Sequence, residues 1–222
     1  MIQTHDLVKT YRNETSICYR DMTFETGKSY MLLGASGCGK STLLNMIAGI
    51  LTPDSGSILL DGTDITKLSQ REKDRLRIEK IGYIFQDFKL IEKMTVADNI
   101  DLLRLENVDV SGMDEILGSL GILDKKNKKI CRLSGGQKQR AAIARALVKK
   151  PDIILADEPT GNLNFSVGEQ VIRELIRAAE GRTLIAVSHD ERLCGYFDTV
   201  IDMNEAVSPA GKAGEDNAPV RA

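Results

Sequence analysis

No apolar run in this sequence of 222 residues approaches the ~20 residues that a membrane-spanning helix requires. The opening residues, MIQTHDLVKTYRNE, hold no apolar core of a signal peptide. Positive charge is not in excess: 30 Lys and Arg stand against 32 Asp and Glu, so the overall balance does not invite nucleic acid. The cysteines, Cys18, Cys38, Cys131 and Cys194, are scattered without metal-ligand spacing. They read as reduced thiols in the cytosol, not as a disulfide framework or a zinc site. No internal repeat and no heptad run is present. With 42% apolar and 28% charged residues, an ordinary soluble core is available for one large domain or two small ones.

Against that background one stretch stands out: GASGCGKST, Gly34 to Thr42, between the apolar runs SYMLL and LLNMIAGI. It fits G-x-x-x-x-G-K-[ST] through Gly34, Gly39, Lys40 and Ser41. Backbone N–H groups can wrap a phosphate chain only where side chains stay out and unusual φ/ψ is allowed, hence Gly34, Gly37 and Gly39. The helix that follows points its N-terminal N–H groups at the anion. Lys40 adds a full charge at the β- and γ-phosphates, the Ser41 hydroxyl suits Mg²⁺, and Thr42 can donate to a phosphate oxygen. Such a pattern arises by chance in roughly one chain in a hundred. The strand before it and the helix after it favour the phosphate reading over an ordinary glycine turn. The whole loop, with Ala35, Ser36 and Cys38, is therefore a candidate nucleotide site. Because Cys38 lies inside the loop, a bulky thiol adduct there is expected to block nucleotide.

The rest of the chain reads as α/β. Residues 1–30 alternate and turn like an antiparallel β region, and 56–62 and 80–87 read as strands. The segment 95–127 has helical spacing of apolar residues, broken at Ser111-Gly112. Residues 135–150 form a helix ending before Pro151, and 166–181 a second helix ending at Gly181. DIILADE (152–158) and TLIAVSHD (183–190) are buried strands, and 198–204 is a further candidate. Buried apolar strands alternating with helices predict a mostly parallel sheet core of the P-loop, RecA-like type. An N-terminal antiparallel β subdomain precedes it, and a helical subdomain over about 87–148 interrupts it. The domain is expected to span 1–204, with 205–222 a disordered tail.

A second motif, Leu133-Ser134-Gly135-Gly136-Gln137, opens the helix at 135. Serine is an ordinary helix cap, but five fixed residues arise by chance in only about three chains per ten thousand. With this motif the sequence resembles the nucleotide-binding subunit of an ABC transporter, over residues 1 to about 204. The resemblance implies that Ser134, Gly135, Gly136 and Gln137 face ATP bound to the opposite subunit of a head-to-tail dimer. It further matches Tyr11 to an aromatic that stacks on adenine and Gln86 to a glutamine reaching Mg²⁺ and the attacking water. Asp157 matches the acid that holds Mg²⁺ through water, Glu158 the general base, and His189 the histidine at the γ-phosphate. The implied activity is Mg²⁺-dependent ATP hydrolysis coupled to transport.

Some residues depart from the family pattern. The segment after Glu158 is PTGNLN, so Asn164 stands where the similar transporter subunits have aspartate. The interval from Gln86 to Ser134 is short for the family, and KKNKKICRLSGG lacks the usual proline before the signature. FQDFKLIEKMTVADNI and EPTGNLN look most like the ATPases of lipoprotein-release, macrolide-export and antimicrobial-peptide-resistance systems. That likeness implies a permease partner with a large extracytoplasmic domain. It also implies a peripheral position on the cytoplasmic face of the membrane, and pairing with a second copy or a paralogous ATPase. Phe88 and Leu90 either line the partner groove or pack in the core. Other readings are a soluble ABC ATPase acting on ribosomes or DNA, and a weakly hydrolysing regulatory subunit. A GTPase lacks its N-K-x-D, since Asn127-Lys128-Lys129-Ile130 has no aspartate.

Overall fold

In the computed structural model, which describes residues 1–11 and 16–209, the chain opens with three short antiparallel strands, β1 (Ile2–Lys9), β2 (Ile17–Tyr19) and β3 (Met22–Phe24). Then come β4 (Ser29–Leu33), α1 (Lys40–Ile47), β5 (Ser55–Leu60), β6 (Thr63–Asp64), α2 (Gln70–Lys80) and β7 (Ile81–Ile84). Between β7 and the next strand lie α3 (Val96–Asp101), α4 (Met113–Ser119) and α5 (Gly135–Leu147), joined by short 3₁₀ turns. The chain finishes with β8 (Ile153–Asp157), α6 (Phe165–Ala178), β9 (Thr183–Ser188), β10 (Thr199–Asp202), α7 (Met203–Ala206) and β11 (Val207–Pro209).

Two sheets result. The first is antiparallel, in the order β11-β2-β1-β5-β6, with β3 also paired to β1. The second is wholly parallel, in the order β10-β4-β9-β8-β7. The central strands of the second read as unbroken apolar runs because both their faces are covered. On β8, Ile153 and Leu155 face a core shared with α1 and the antiparallel sheet, while Ile154 and Ala156 face the helices α5 and α6. On β9 the same alternation sends Ile185 and Val187 one way and Leu184 and Ala186 the other. This arrangement brings the C-terminal ends of β4, β8 and β9 to one edge of the sheet, where ligands of open α/β sheets bind.

Two expectations need correction, and one helix lies outside the sequence reading. Residues 80–87 are not one strand: β7 stops at Ile84, and the chain turns through Gln86 to left-handed backbone at Phe88 and Lys89. The domain does not end at 204, because β11 pairs antiparallel with β2 (Val207 opposite Tyr19), so 205–209 are part of the fold. Residues 210–222, the remainder of the expected tail, lie outside the described residues. That helix is α2. Its segment, QREKDRLRIEK, buries only Lys73 and so carries almost no apolar periodicity. The capping box of Ser69 and Glu72 that starts it is a signal the sequence does contain.

Candidate active site

The loop from Gly34 to Gly39 leaves β4 and turns into α1. Gly37 has φ 83° and Gly39 φ 100°, left-handed values that glycine adopts without steric cost. At Gly39 a Cβ would also stand 2.7 Å from the Tyr19 hydroxyl. That hydroxyl donates to the Gly39 carbonyl (2.9 Å) and is buried, which pushes its pKa upward and keeps it a neutral donor. Lys40 is 5% exposed, and its ammonium donates to the carbonyls of Gly34 and Ala35 at 2.7 Å each. The charge is thus held at the mouth of the loop by two backbone oxygens and not by a carboxylate.

Ser41 and Thr42 occupy the first turn of α1. The Ser41 hydroxyl donates to Asp157 Oδ1 at 2.7 Å, joining α1 to the end of β8. Burial raises the Asp157 pKa; the Ser41 bond opposes that, the Glu158 charge adds to it and Lys40 opposes it. The Thr42 hydroxyl shares a hydrogen bond of 2.9 Å with Tyr11, so Tyr11 sits beside the loop with its side chain partly exposed.

Glu158 follows β8 with φ 44°, a backbone strained for a residue other than glycine. Its N–H donates to Val187 O (3.2 Å) and its carbonyl accepts from Gly161 N–H (3.0 Å), which fixes the turn. Both carboxylate oxygens accept from Nδ1 of His189, at 3.1 Å. His189 follows β9, and its side chain is 64% exposed against 13% for Glu158. Gln86 is held from the other side, its carbonyl accepting from Asn162 Nδ2 at 2.9 Å.

These residues converge on one open cleft of about 390 Å³. Ser36, Gly37, Gly39, Lys40, Ser41 and Thr42 line one wall; Gln86, Glu158 and His189 line the other. Gly34 and Ala35 sit beneath, their carbonyls accepting from the Lys40 ammonium, and Asp157 lies behind Ser41. Cys38 turns away: it is half-buried against the core under the loop, with Sγ 3.8 Å from the Lys40 ammonium. The thiol is therefore inside the loop in sequence but outside the cleft in space. Among the described residues no cluster of three His, Cys, Asp or Glu is arranged for a metal. Ser41 and Asp157 nonetheless supply adjacent hard oxygens, the donor type that Mg²⁺ takes when phosphates and water complete its shell.

Ser134 to Gln137 are not in this cleft. Ser134 caps α5, its hydroxyl accepting from Gln137 N–H while the Gln137 side chain accepts from Ser134 N–H (3.1 Å). A Cβ at Gly135 would meet Leu163 at 3.1 Å, and one at Gly136 would meet Val167 at 2.7 Å. The signature glycines therefore let α5 start against the loop that leads into α6. Asn164 caps α6, its side chain accepting from Val167 N–H at 3.0 Å. Sequence reasoning missed Tyr19 and Asn162, since a tyrosine in a strand and an asparagine in a loop carry no signal of which backbone oxygen they reach. Leu90 is half-buried against the core, and neither it nor Phe88 lines the groove formed by Tyr83, Phe85, Leu102 and Leu103; the Phe88 carbonyl accepts from Arg145 at 2.9 Å.

A family model described as "ABC transporter" matches residues 20–161. Over 211 residues the chain is 39% identical to "ABC transporter ATP-binding protein YxdL" of Bacillus subtilis (strain 168), covering 90% of this chain and 82% of that protein. It is 38% identical over 191 residues to "Macrolide export ATP-binding/permease protein MacB" of Mannheimia succiniciproducens, covering 83% of this chain but 30% of that much longer protein. Among solved structures, the dimeric post-hydrolysis state of the ATP-binding cassette MJ0796 bound to ADP and Pi superposes with a TM-score of 0.81 at 32% identity. That match covers 94% of this chain and 98% of that one. The chain belongs to the ABC transporter family, as an ATP-binding and ATP-hydrolysing transport cassette.

Proposed function

We propose that this cassette hydrolyses ATP in a head-to-tail dimer on the cytoplasmic face of a membrane and drives a permease partner that carries an extracytoplasmic domain. The observation that carries the reading is the convergence of Lys40, Ser41, Gln86, Glu158 and His189 on one cleft. In it the loop N–H groups and Lys40 hold the phosphate chain. Glu158 orients and deprotonates the attacking water, while His189 and Gln86 fix the γ-phosphate geometry. Ser41, Asp157 and Gln86 would hold Mg²⁺, which when bound would compensate charge on the phosphate oxygens. Tyr11 stacks on adenine. Ser134, Gly135, Gly136 and Gln137 of one copy complete the cleft of the other, which accounts for their lying outside their own chain's cleft. The dimeric assembly of the MJ0796 cassette supports this arrangement.

For the permease we place the contact in a groove of about 400 Å³ between β7 and the helices α3 and α5. Tyr83, Phe85, Leu102 and Leu103 give it apolar walls. Arg145 and Lys149 donate there only to backbone carbonyls, of Phe88 and Lys89 and of Arg77 respectively. Burial, with Arg145 and Arg77 beside it, pulls the Lys149 pKa down to about 8. Purifying the tagged chain from its native membranes in mild detergent tests the reading. Stoichiometric recovery of a membrane protein with an extracytoplasmic domain is expected; recovery with ribosomes or DNA-repair proteins would overturn it.

Asn164 bears on coupling between the two sites. Aspartate there keeps the cap and adds a negative charge at the start of α6, worth about 0.3–1 kcal/mol of stability. Asn164→Asp is expected to change the shape of the ATP-dependence of hydrolysis more than nucleotide affinity. A superimposable hydrolysis curve would make the asparagine a neutral replacement.

A further inference from the structure

Between Leu123 and Arg132 stand five cations, Lys125, Lys126, Lys128, Lys129 and Arg132, with one carboxylate, Asp124, in a chain whose net charge is −2. The segment is not a loose loop. Ile122, Ile130 and Leu133 anchor it in the core. Backbone hydrogen bonds tie it to the chain before and into α3: Ile130 N–H to Met94 O (2.9 Å), Cys131 N–H to Glu92 O (3.0 Å) and Val96 N–H to Lys128 O (3.1 Å). Lys125 is paired with Asp124 and Lys126 with Asp114. Lys128, Lys129 and Arg132 are exposed and form no ion pair among the described residues. Leu123, 44% exposed, borders the same shallow depression, and Ile91, 47% exposed, stands on the neighbouring stretch with exposed Lys93.

We propose that this face of the helical subdomain binds an anionic phospholipid surface directly. Lysines on a fixed backbone, interspersed with protruding aliphatic side chains, match such a surface: the cations meet phosphates and the apolar tips enter the headgroup layer. The features that would suit a nucleic acid are missing. No aromatic residue occurs anywhere from residue 89 to 164, so there is no platform for base stacking. Three uncompensated cations give a preference for anionic over neutral membranes on the order of 10²-fold at moderate salt. The contact goes beyond attachment through a permease and needs none, so its test uses the full chain alone.

The purified chain is sedimented with phosphatidylcholine vesicles, with and without phosphatidylglycerol, in the absence of any permease. Binding to the anionic vesicles, about 10²-fold stronger and weakening as salt is raised, is expected. Lys128→Glu with Lys129→Glu should bring binding down to the level of neutral vesicles with an unchanged thermal midpoint. If that pair lowers the midpoint, Lys128→Gln with Lys129→Gln should still show most of the loss. Equal binding to both vesicle types, undiminished binding by the variants, or tighter binding to single-stranded RNA than to anionic vesicles at the same salt would overturn the proposal.

Discussion

Glu158→Gln cuts steady-state ATP turnover by a factor of about 10²–10⁴ while ATP still binds, if Glu158 is the base. Glutamine keeps the length of the side chain and can still hydrogen-bond His189, but it takes up no proton. The backbone of residue 158 is left-handed and pinned at both ends by Val187 and Gly161, and glutamine meets the same backbone cost as glutamate. A fall in rate therefore reports chemistry and not a displaced turn. Phosphate release measured beside a nucleotide titration separates the two. With hydrolysis stalled, the ATP-bound dimer should accumulate and elute at doubled mass. Turnover within tenfold of the unaltered chain would remove Glu158 from the role of base, and a monomer at saturating ATP would count against closure around nucleotide.

Lys40→Ala acts one step earlier. Among the described residues Lys40 is the only lysine or arginine that lines the cleft, and it is almost wholly buried. Removing a hydrogen-bonded charge from such a site costs ~2–5 kcal/mol of binding, hence a loss of ATP affinity of about 30-fold to several thousand-fold. The variant should fold, because Lys40 donates to the carbonyls of Gly34 and Ala35 and forms no ion pair among the described residues, so its removal leaves no buried charge unpaired. Calorimetric titration with ATP, beside a thermal midpoint, is the measurement. Normal affinity would sink the phosphate-loop reading.

Much of this architecture is legible in the sequence for a physical reason. Strands covered on both faces must be apolar through their middle, so β8 and β9 announce themselves as IILAD and TLIAVS. The residues that touch phosphate come from contiguous stretches with fixed spacing, so Gly34 to Thr42 are readable before any fold is known. What was not legible depends on contacts made across the chain. The helix α2 is surface-bound and charged, so it has no periodicity to find. Direction is equally hidden: Cys38 is two residues from Lys40, yet the turn at Gly37 sends the thiol toward the core. Phe88 and Leu90 follow Gln86 directly, but the left-handed backbone at Phe88 and Lys89 re-aims the chain, and the groove walls come instead from Phe85, Lys89 and more distant helices. The end of the fold was misplaced because VSP is too short to read as a strand without its partner β2.

That last strand has a further consequence. Val207 lies opposite Tyr19 in the β11–β2 pair, and the Tyr19 hydroxyl holds the carbonyl of Gly39. Residues near the two ends of the sequence are therefore separated from the phosphate loop by one strand and one side chain. Loosening the β11–β2 pair would therefore be felt at the Gly39 carbonyl through the Tyr19 side chain.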